Sequence, residues 1–276
     1  MNWRSLLKPA SNLSPEEAQA FMSSRSSEDY QLLDVRQPGE YESEHLPGAR
    51  LIPLKQLAEG LRELDGQKPV LVYCAVGGRS RAAAQYLSGQ GFKEVYNISG
   101  GIKNWQGLKA NGPESQGLEL IDVNADFESG LTLSYALEDG LQQFYARLAE
   151  KVEDPDQQKL LERLAGFEDK HKAWLAEEYG KLHVDQPEPP VPPAEQATME
   201  GGRAVSQFLD RVRPEFLSMT EIFDMAMMFE AQAMDLYSRL AKQVTDTSTA
   251  DLFQRLVEEE KMHLGYLEKE FDRLIG

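Results

Sequence analysis

The sequence predicts an α/β domain with a parallel sheet flanked by helices, followed by an all-α four-helix bundle, on three observations. Up to about residue 110, short β-rich runs alternate with helical patterns, as in strand–helix–strand units that build parallel sheets. Beyond that point four long helical patterns follow, at roughly 127–152, 156–181, 217–244 and 247–274. Between the two regimes lies the breaker cluster Asn111-Gly112-Pro113-Glu114-Ser115-Gln116-Gly117, which neither a strand nor a helix tolerates in its interior.

In the first domain, expected at 1–111, strands are predicted at 30–35, 49–52, 70–73 and 94–97, with helices at 14–23 and 80–89. A linker is expected over 112–124 and the bundle over 125–276. Asp185-Gln186-Pro187-Glu188-Pro189-Pro190-Val191-Pro192-Pro193 cannot be helical, so 184–215 is expected to be an extended crossover between the second and third helices. Two domains also agree with 276 residues, which exceed the usual size of one core.

With 41% hydrophobic and 9% aromatic residues the composition is globular, and no apolar run approaches the roughly 20 residues of a membrane span. The N-terminal residues lack the apolar stretch of a signal peptide. One cysteine cannot form an intrachain disulfide, so a reducing, cytoplasmic location is expected. Net charge is −17, unevenly spread: residues 1–111 carry 13 Lys and Arg against 12 Asp and Glu, and the remainder 16 against 34. That acidity argues against nucleic-acid and anionic-membrane partners and leaves a solvated face or a hard-cation site as its use.

The lone cysteine lies in Val70-Leu71-Val72-Tyr73-Cys74-Ala75-Val76-Gly77-Gly78-Arg79-Ser80. A strand that delivers Cys74 to a glycine turn, with a helix starting near Ser80, aims backbone N–H groups and a positive helix end at the sulfur. Such a cradle favours the thiolate; a buried small hydrophobe is the alternative use of such a residue.

CAVGGRS resembles the active-site loop of single-domain rhodaneses, Cys-x-x-Gly-x-Arg-Ser. Leu33-Asp34-Val35-Arg36, Glu40-Tyr41 and His45-Leu46-Pro47-Gly48-Ala49 are similar to another family signature, and Gly100-Gly101-Ile102-Lys103-Asn104-Trp105 to its closing motif. Glu44 departs from the usual Gly, a change expected to act on the local turn and not on the thiol. The resemblance spans about 10–111 and implies a sulfurtransferase: in the family the six-residue span from Cys74 to Arg79 accompanies sulfur transfer, and related phosphatases have one residue more. The implied mechanism is attack by Cys74 on a sulfane-sulfur donor such as thiosulfate or a persulfide, followed by transfer to a thiol or cyanide. Backbone amides of Ala75, Val76, Gly77, Gly78, Arg79 and Ser80 would hold the persulfide, and Arg79 would order the loop or attract an anionic donor. Arg36 and Glu40 are expected to pair, Asp34 to fix a turn, and His45 to be structural.

The second half contains an internal repeat. Glu138-x6-Tyr145-Ala-Arg-Leu-Ala aligns with Glu230-x6-Tyr237-Ser-Arg-Leu-Ala at an offset of 92, which also maps Glu168 on Glu260 and His171 on His263. Residues three apart share a helix face, so each Glu-x-x-His points two ligands one way. Four carboxylates and two imidazoles inside a bundle require cations, and the set suits two ions of iron or manganese, with zinc possible. Tyr145 and Tyr237 are candidates to support the ligands or plain core aromatics. His183 is expected to be exposed, and Met225-Ala226-Met227-Met228 to be helix core rather than a copper site.

This constellation resembles the ferritin-like di-iron carboxylate proteins, most of all rubrerythrins, over about 125–276. The resemblance implies a two-iron cofactor, a homodimer through the bundle and an external electron donor. Ala233 stands where rubrerythrins usually carry a further glutamate, which argues against rubrerythrin-type peroxidase cycling, and the absence of the four cysteines of a rubredoxin domain removes the built-in electron donor. Three uses follow: sulfur transfer coupled to a redox di-metal centre for sulfide or oxidative-stress handling, a sulfurtransferase with a structural metal-binding dimerisation bundle, or a non-catalytic persulfide carrier or sensor.

Overall fold

Val70, Leu71, Val72 and Tyr73 are wholly buried and form β4 (Val70–Tyr73), the middle strand of a five-stranded sheet. In this computed structural model, residues 11–183, 185–186, 188–199 and 202–275 are described; the parts of the expected first domain at 1–10, of the crossover at 184, 187, 200 and 201, and of the bundle at 276 lie outside them. The chain divides into two units, Met1–Glu114 and Ser115–Gly276.

The first unit runs β1 (Ser11–Leu13), α1 (Pro15–Ser23), β2 (Gln31–Asp34), α2 (Pro38–Ser43), β3 (Arg50–Leu51), α3 (Leu57–Gly60), β4, α4 (Gly78–Gly89) and β5 (Val95–Ile98). All strand pairs are parallel in the order β1-β5-β4-β2-β3. The run Val70 to Cys74 alternates between two cores, as the period of two in a strand requires. Val70, Val72 and Cys74 join Ala83, Ala84 and Leu87 of α4, whereas Leu71 and Tyr73 join Ala18, Tyr41, Ile98 and Trp105. Burial on both sides explains why β4 reads as an unbroken apolar run. β1 escaped the sequence analysis because only three residues form it, two of them polar.

The second unit is a bundle of α5 (Phe127–Ala149), α6 (Pro155–Leu182), α8 (Met219–Gln243) and α9 (Thr247–Ile275). Asp126 caps α5, Asp154 precedes Pro155 at the start of α6, and Ser218 with Glu221 forms a capping box on α8, each satisfying N–H groups that a helix start leaves open. Leu131, Leu137, Leu236, Tyr237, Phe253 and Leu256 are at the centre of the core. Met227 is buried, with Met225 and Met228 partly so. Among the described residues no helix is long and apolar enough to cross a membrane.

The crossover is not extended throughout. It contains the antiparallel pair β6 (Thr198–Met199) and β7 (Arg203–Ala204), then the short α7 (Val205–Leu209). Gly140 of α5 admits it: a Cβ there would lie 2.3 Å from the carbonyl oxygen of Thr198. Phe208 of α7 meets Phe144 and Phe229 edge-on, with ring centres 5.9 and 4.9 Å apart. Residues 116–123, expected to be linker, are fastened to the end of α8: Gln243 donates to the carbonyls of Leu118 and Ile121 at 3.0 and 3.1 Å, and the Thr245 N–H to that of Val123 at 2.9 Å.

Candidate functional site

The first site stands at the carboxyl end of β4, the edge where open parallel sheets bind ligands. There the chain leaves the strand at Cys74 and enters α4 through Gly77, whose φ of +94° favours glycine. The Gly77 N–H donates to Cys74 Sγ at 3.1 Å, and the Ser80 hydroxyl lies 3.4 Å from it. That hydroxyl also reaches Asn97 Oδ1 at 2.6 Å; its one proton serves one acceptor at a time, and a thiolate competes well for it. The Cys74 and Ala75 carbonyls point elsewhere, accepting from the N–H groups of Ile102 and Lys103 at 2.9 and 3.2 Å. Gly101 makes this possible, since a Cβ there would sit 2.1 Å from the Cys74 carbonyl oxygen.

Burial raises the pKa of the Cys74 thiol, but hydrogen bonds from the Ser80 hydroxyl and the amides of Ser80, Val76 and Gly77 outweigh it, so the net shift is downward. Ala75, Gly78 and Val76 complete the rim, Val76 standing 63% exposed.

Two ion pairs correct the expected pairing, and one of them includes a residue of the loop. Arg36 pairs with Asp34, Nη2 to Oδ2 at 2.7 Å, both side chains being buried. Glu40 pairs instead with Arg79, through two bonds of 2.7 and 2.6 Å. The reason is local: α2 begins only at Pro38, so Arg36 lies before the helix and cannot use the four-residue spacing to Glu40. Glu44 needs no glycine, because its φ is −164°; its carbonyl accepts from Arg36 at 2.6 Å and its carboxylate takes Lys109 at 2.9 Å. His45 is structural, buried and stacked on Tyr41 with ring centres 3.7 Å apart.

The second site is inside the bundle. α5 presents Glu138, α6 presents Glu168 and His171, α8 presents Glu230, and α9 presents Glu260 and His263. The four carboxylates have 0–1% exposure. Ligand atoms of Glu138, His171 and Glu260 lie within 4.8 Å of one another, as do those of Glu230, Glu260 and His263. Glu168 joins neither group but comes within 3.9 Å of His171 Nδ1. The two imidazoles stack with centres 4.5 Å apart and planes 6° from parallel. Burial disfavours a charged His171, yet the carboxylate of Glu138, 3.0 Å away, leads the attractions that carry its pKa above the ordinary value.

Of the two tyrosines, Tyr237 donates to Glu138 Oε1 at 3.0 Å, while Tyr145 is buried and packs on Phe144 and Phe229. His183 is half-exposed beside Glu128 at 3.0 Å, outside both sites. Ala233 is buried in the apolar core. Asn97 and Gly101 were missed as parts of the thiol site; an asparagine inside a strand-forming run and a double glycine were the available signals.

The sequence pattern of the Rubrerythrin family matches residues 129–271, slightly more than half of the chain. The chain belongs to the rubrerythrin family. Ahead of its rubrerythrin domain, residues 14–108 match the Rhodanese-like domain, so the chain is a fusion of the two. The rhodanese-like half is 49% identical over 77 residues to the uncharacterized protein YqhL of Bacillus subtilis, a match covering 28% of this chain and 61% of that protein. It is 40% identical over 92 residues to the thiosulfate sulfurtransferase GlpE of Pseudomonas syringae, covering 33% and 83% respectively. A solved rhodanese-like domain protein of Staphylococcus aureus shares 26% identity, with a TM-score of 0.32 over 34% of this chain and 90% of that one.

Proposed function

We propose that this chain is a rhodanese-type sulfurtransferase that forms a persulfide on Cys74, joined to a di-iron carboxylate centre used in redox or sulfide handling. The observation that carries the first half is the Cys74 sulfur facing the Gly77 N–H and the Ser80 hydroxyl at the start of α4. GlpE, a relative of this half, bears the name thiosulfate sulfurtransferase.

In this reading the Cys74 thiolate attacks the outer sulfur of a sulfane donor; one S–S bond forms, the donor's breaks, and the leaving group takes the electron pair. The amides of Val76, Gly77 and Ser80 then hold the terminal persulfide sulfur as they hold the thiolate. With one cysteine in the chain, the sulfur leaves only to an outside thiol or cyanide.

The residues of the bundle fit a metal pair. Four buried carboxylates face two imidazoles, and among the described residues Glu230 Oε2 and His263 Nδ1 are buried without a hydrogen-bond partner. Glu138, Glu168, His171, Glu230, Glu260 and His263 would hold two ions. Iron bound there would supply electron transfer to oxygen or peroxide. The protein's part is to fix the ligands: Tyr237 orients Glu138, and each helix hairpin contributes one imidazole.

Incubation with a sulfane donor should add one sulfur atom of mass to the wild type and none to Cys74→Ser. Metal analysis and an optical spectrum of the purified protein test the second half. Zinc without iron would favour the structural-metal alternative.

A further inference from the structure

Arg79 is the cation that the sequence sets beside Cys74, and it is already engaged. Its Nη1 and Nη2 donate to Oε2 and Oε1 of Glu40 at 2.7 and 2.6 Å. This fork uses two of the guanidinium's five donors and sets a full carboxylate charge against its own. Glu40 is fixed in turn, because Oε2 also accepts the Gln37 N–H at the start of α2 at 3.1 Å. The arginine's hydrogen bonds hold the Glu40 carboxyl down at about 2, so it is ionised wherever a thiolate exists. The pair therefore brings no net charge to the mouth of the loop.

The rest of the loop adds none. Ala75, Val76, Gly77 and Gly78 carry no polar side chain, Val76 at the rim is 63% exposed, and Ser80 is buried and bonded to Asn97. From the loop itself, a donor reaching the sulfur meets backbone amides, an apolar valine and a neutralised arginine. Sulfane donors differ in what they require of such a mouth. Thiosulfate is a dianion that leaves as sulfite, and its approach to a thiolate gains more from a free cation than that of a singly charged donor. An organic hydropersulfide carries at most one charge and brings a carbon chain.

We propose that the Glu40–Arg79 clamp directs this loop toward organic hydropersulfides and away from thiosulfate, with Glu40 a positioning residue that sets donor specificity through Arg79. The inference rests on Cys74 being the sulfur-accepting thiolate. With a hydropersulfide, R–S–SH, the thiolate attacks the terminal sulfur; the Cys74–S bond forms as the R–S to S bond breaks, and R–S⁻ departs with the electron pair. The terminal proton passes to water or to the departing thiolate, and no oxidant or reductant is consumed.

The test follows sulfur loading of full-length protein by mass, with thiosulfate or cysteine hydropersulfide as donor, at low and high salt. Wild type should load faster from the hydropersulfide, and its thiosulfate rate should vary little with salt. Glu40→Gln keeps the shape of the side chain and frees the arginine's charge. It should raise the thiosulfate-to-hydropersulfide rate ratio about tenfold at low salt, and this gain should fade as salt screens the cation.

An unchanged ratio in the folded variant overturns the inference, as does a wild-type thiosulfate rate that already falls steeply with salt. Should the variant fail to fold by circular dichroism, the wild-type salt profile decides alone. Loading from neither donor removes the Cys74 reading itself and the inference with it, whereas equal loading from both at every salt concentration removes only the inference.

Discussion

Tyr237 donates to one oxygen of Glu138 at 3.0 Å while the other oxygen of the same carboxylate lies 3.0 Å from Nδ1 of His171. The bond spans 99 positions of sequence and ties the α8–α9 hairpin to a candidate metal ligand on α5. Replacing Tyr237 by Phe removes one buried partner of that carboxylate. The expected cost is about 1–3 kcal/mol, measured as a lower guanidinium midpoint with unchanged slope. A variant as stable as wild type, loaded with metal or free of it, would show that the phenol supports nothing.

The thiol offers a pH experiment. Its pKa is lowered in the fold, so the thiolate survives to lower pH than in the unfolded chain. Alkylation of Cys74 by iodoacetamide should therefore reach half its maximal rate at lower pH in the folded protein than in the unfolded chain. Ser80→Ala removes the largest lowering influence and should move that midpoint up. Stability linked to this thiolate is present above the unfolded thiol's pKa and is lost as pH falls through the folded one. A midpoint in folded wild type at or above that of the unfolded chain contradicts the cradle.

Metal removal should be visible in melting. An ion bound at a hundred times its dissociation constant stabilises by about 2.7 kcal/mol, so chelation should lower the melting temperature by several degrees. His263→Ala should shrink the difference between loaded and metal-free protein and reduce bound metal. His263 is only 18% exposed and stacks on His171, so the readout is the loaded-minus-chelated difference within each protein, from which the packing loss cancels. Equal melting of loaded and chelated wild type would remove the metal claim.

The chain should be divisible, and the place matters. The Gly112 N–H donates to the Glu42 carbonyl at 2.8 Å, and Glu114 Oε1 accepts from the Leu51 N–H at 3.1 Å. A cut after Glu114 keeps both bonds, whereas a cut after Asn111 loses them. The longer fragment should melt higher by a few degrees, corresponding to about 1 kcal/mol per bond, and should still accept sulfur. Equal melting of the two fragments would place the end of the first unit before Gly112.

How much of this was legible follows from the range of each signal. The six bundle residues emerge from an offset of 92 because duplicated hairpins repeat their ligands at fixed intervals along the chain. Cys74 emerges because strand, glycine turn and helix start are adjacent in sequence. What failed were choices among partners. Two arginines, at 36 and 79, compete for the carboxylates at 34 and 40; sequence spacing favours the wrong match, and only the late start of α2 decides it. The role of Gly101 beneath the Cys74 carbonyl depends on a close approach between segments that periodicity does not record. The crossover hairpin consists of two two-residue strands, too short to leave a period.

Gly140 changes what the long connection between the two hairpins costs. A free segment from α6 to α8 would close one large loop, with an entropy penalty that grows with the logarithm of its length. Because β6 lies against α5 where only a hydrogen occupies the side-chain position, that loop is divided into two shorter ones. The glycine thus lowers the closure cost of the crossover by the contact it admits, not by any bond of its own.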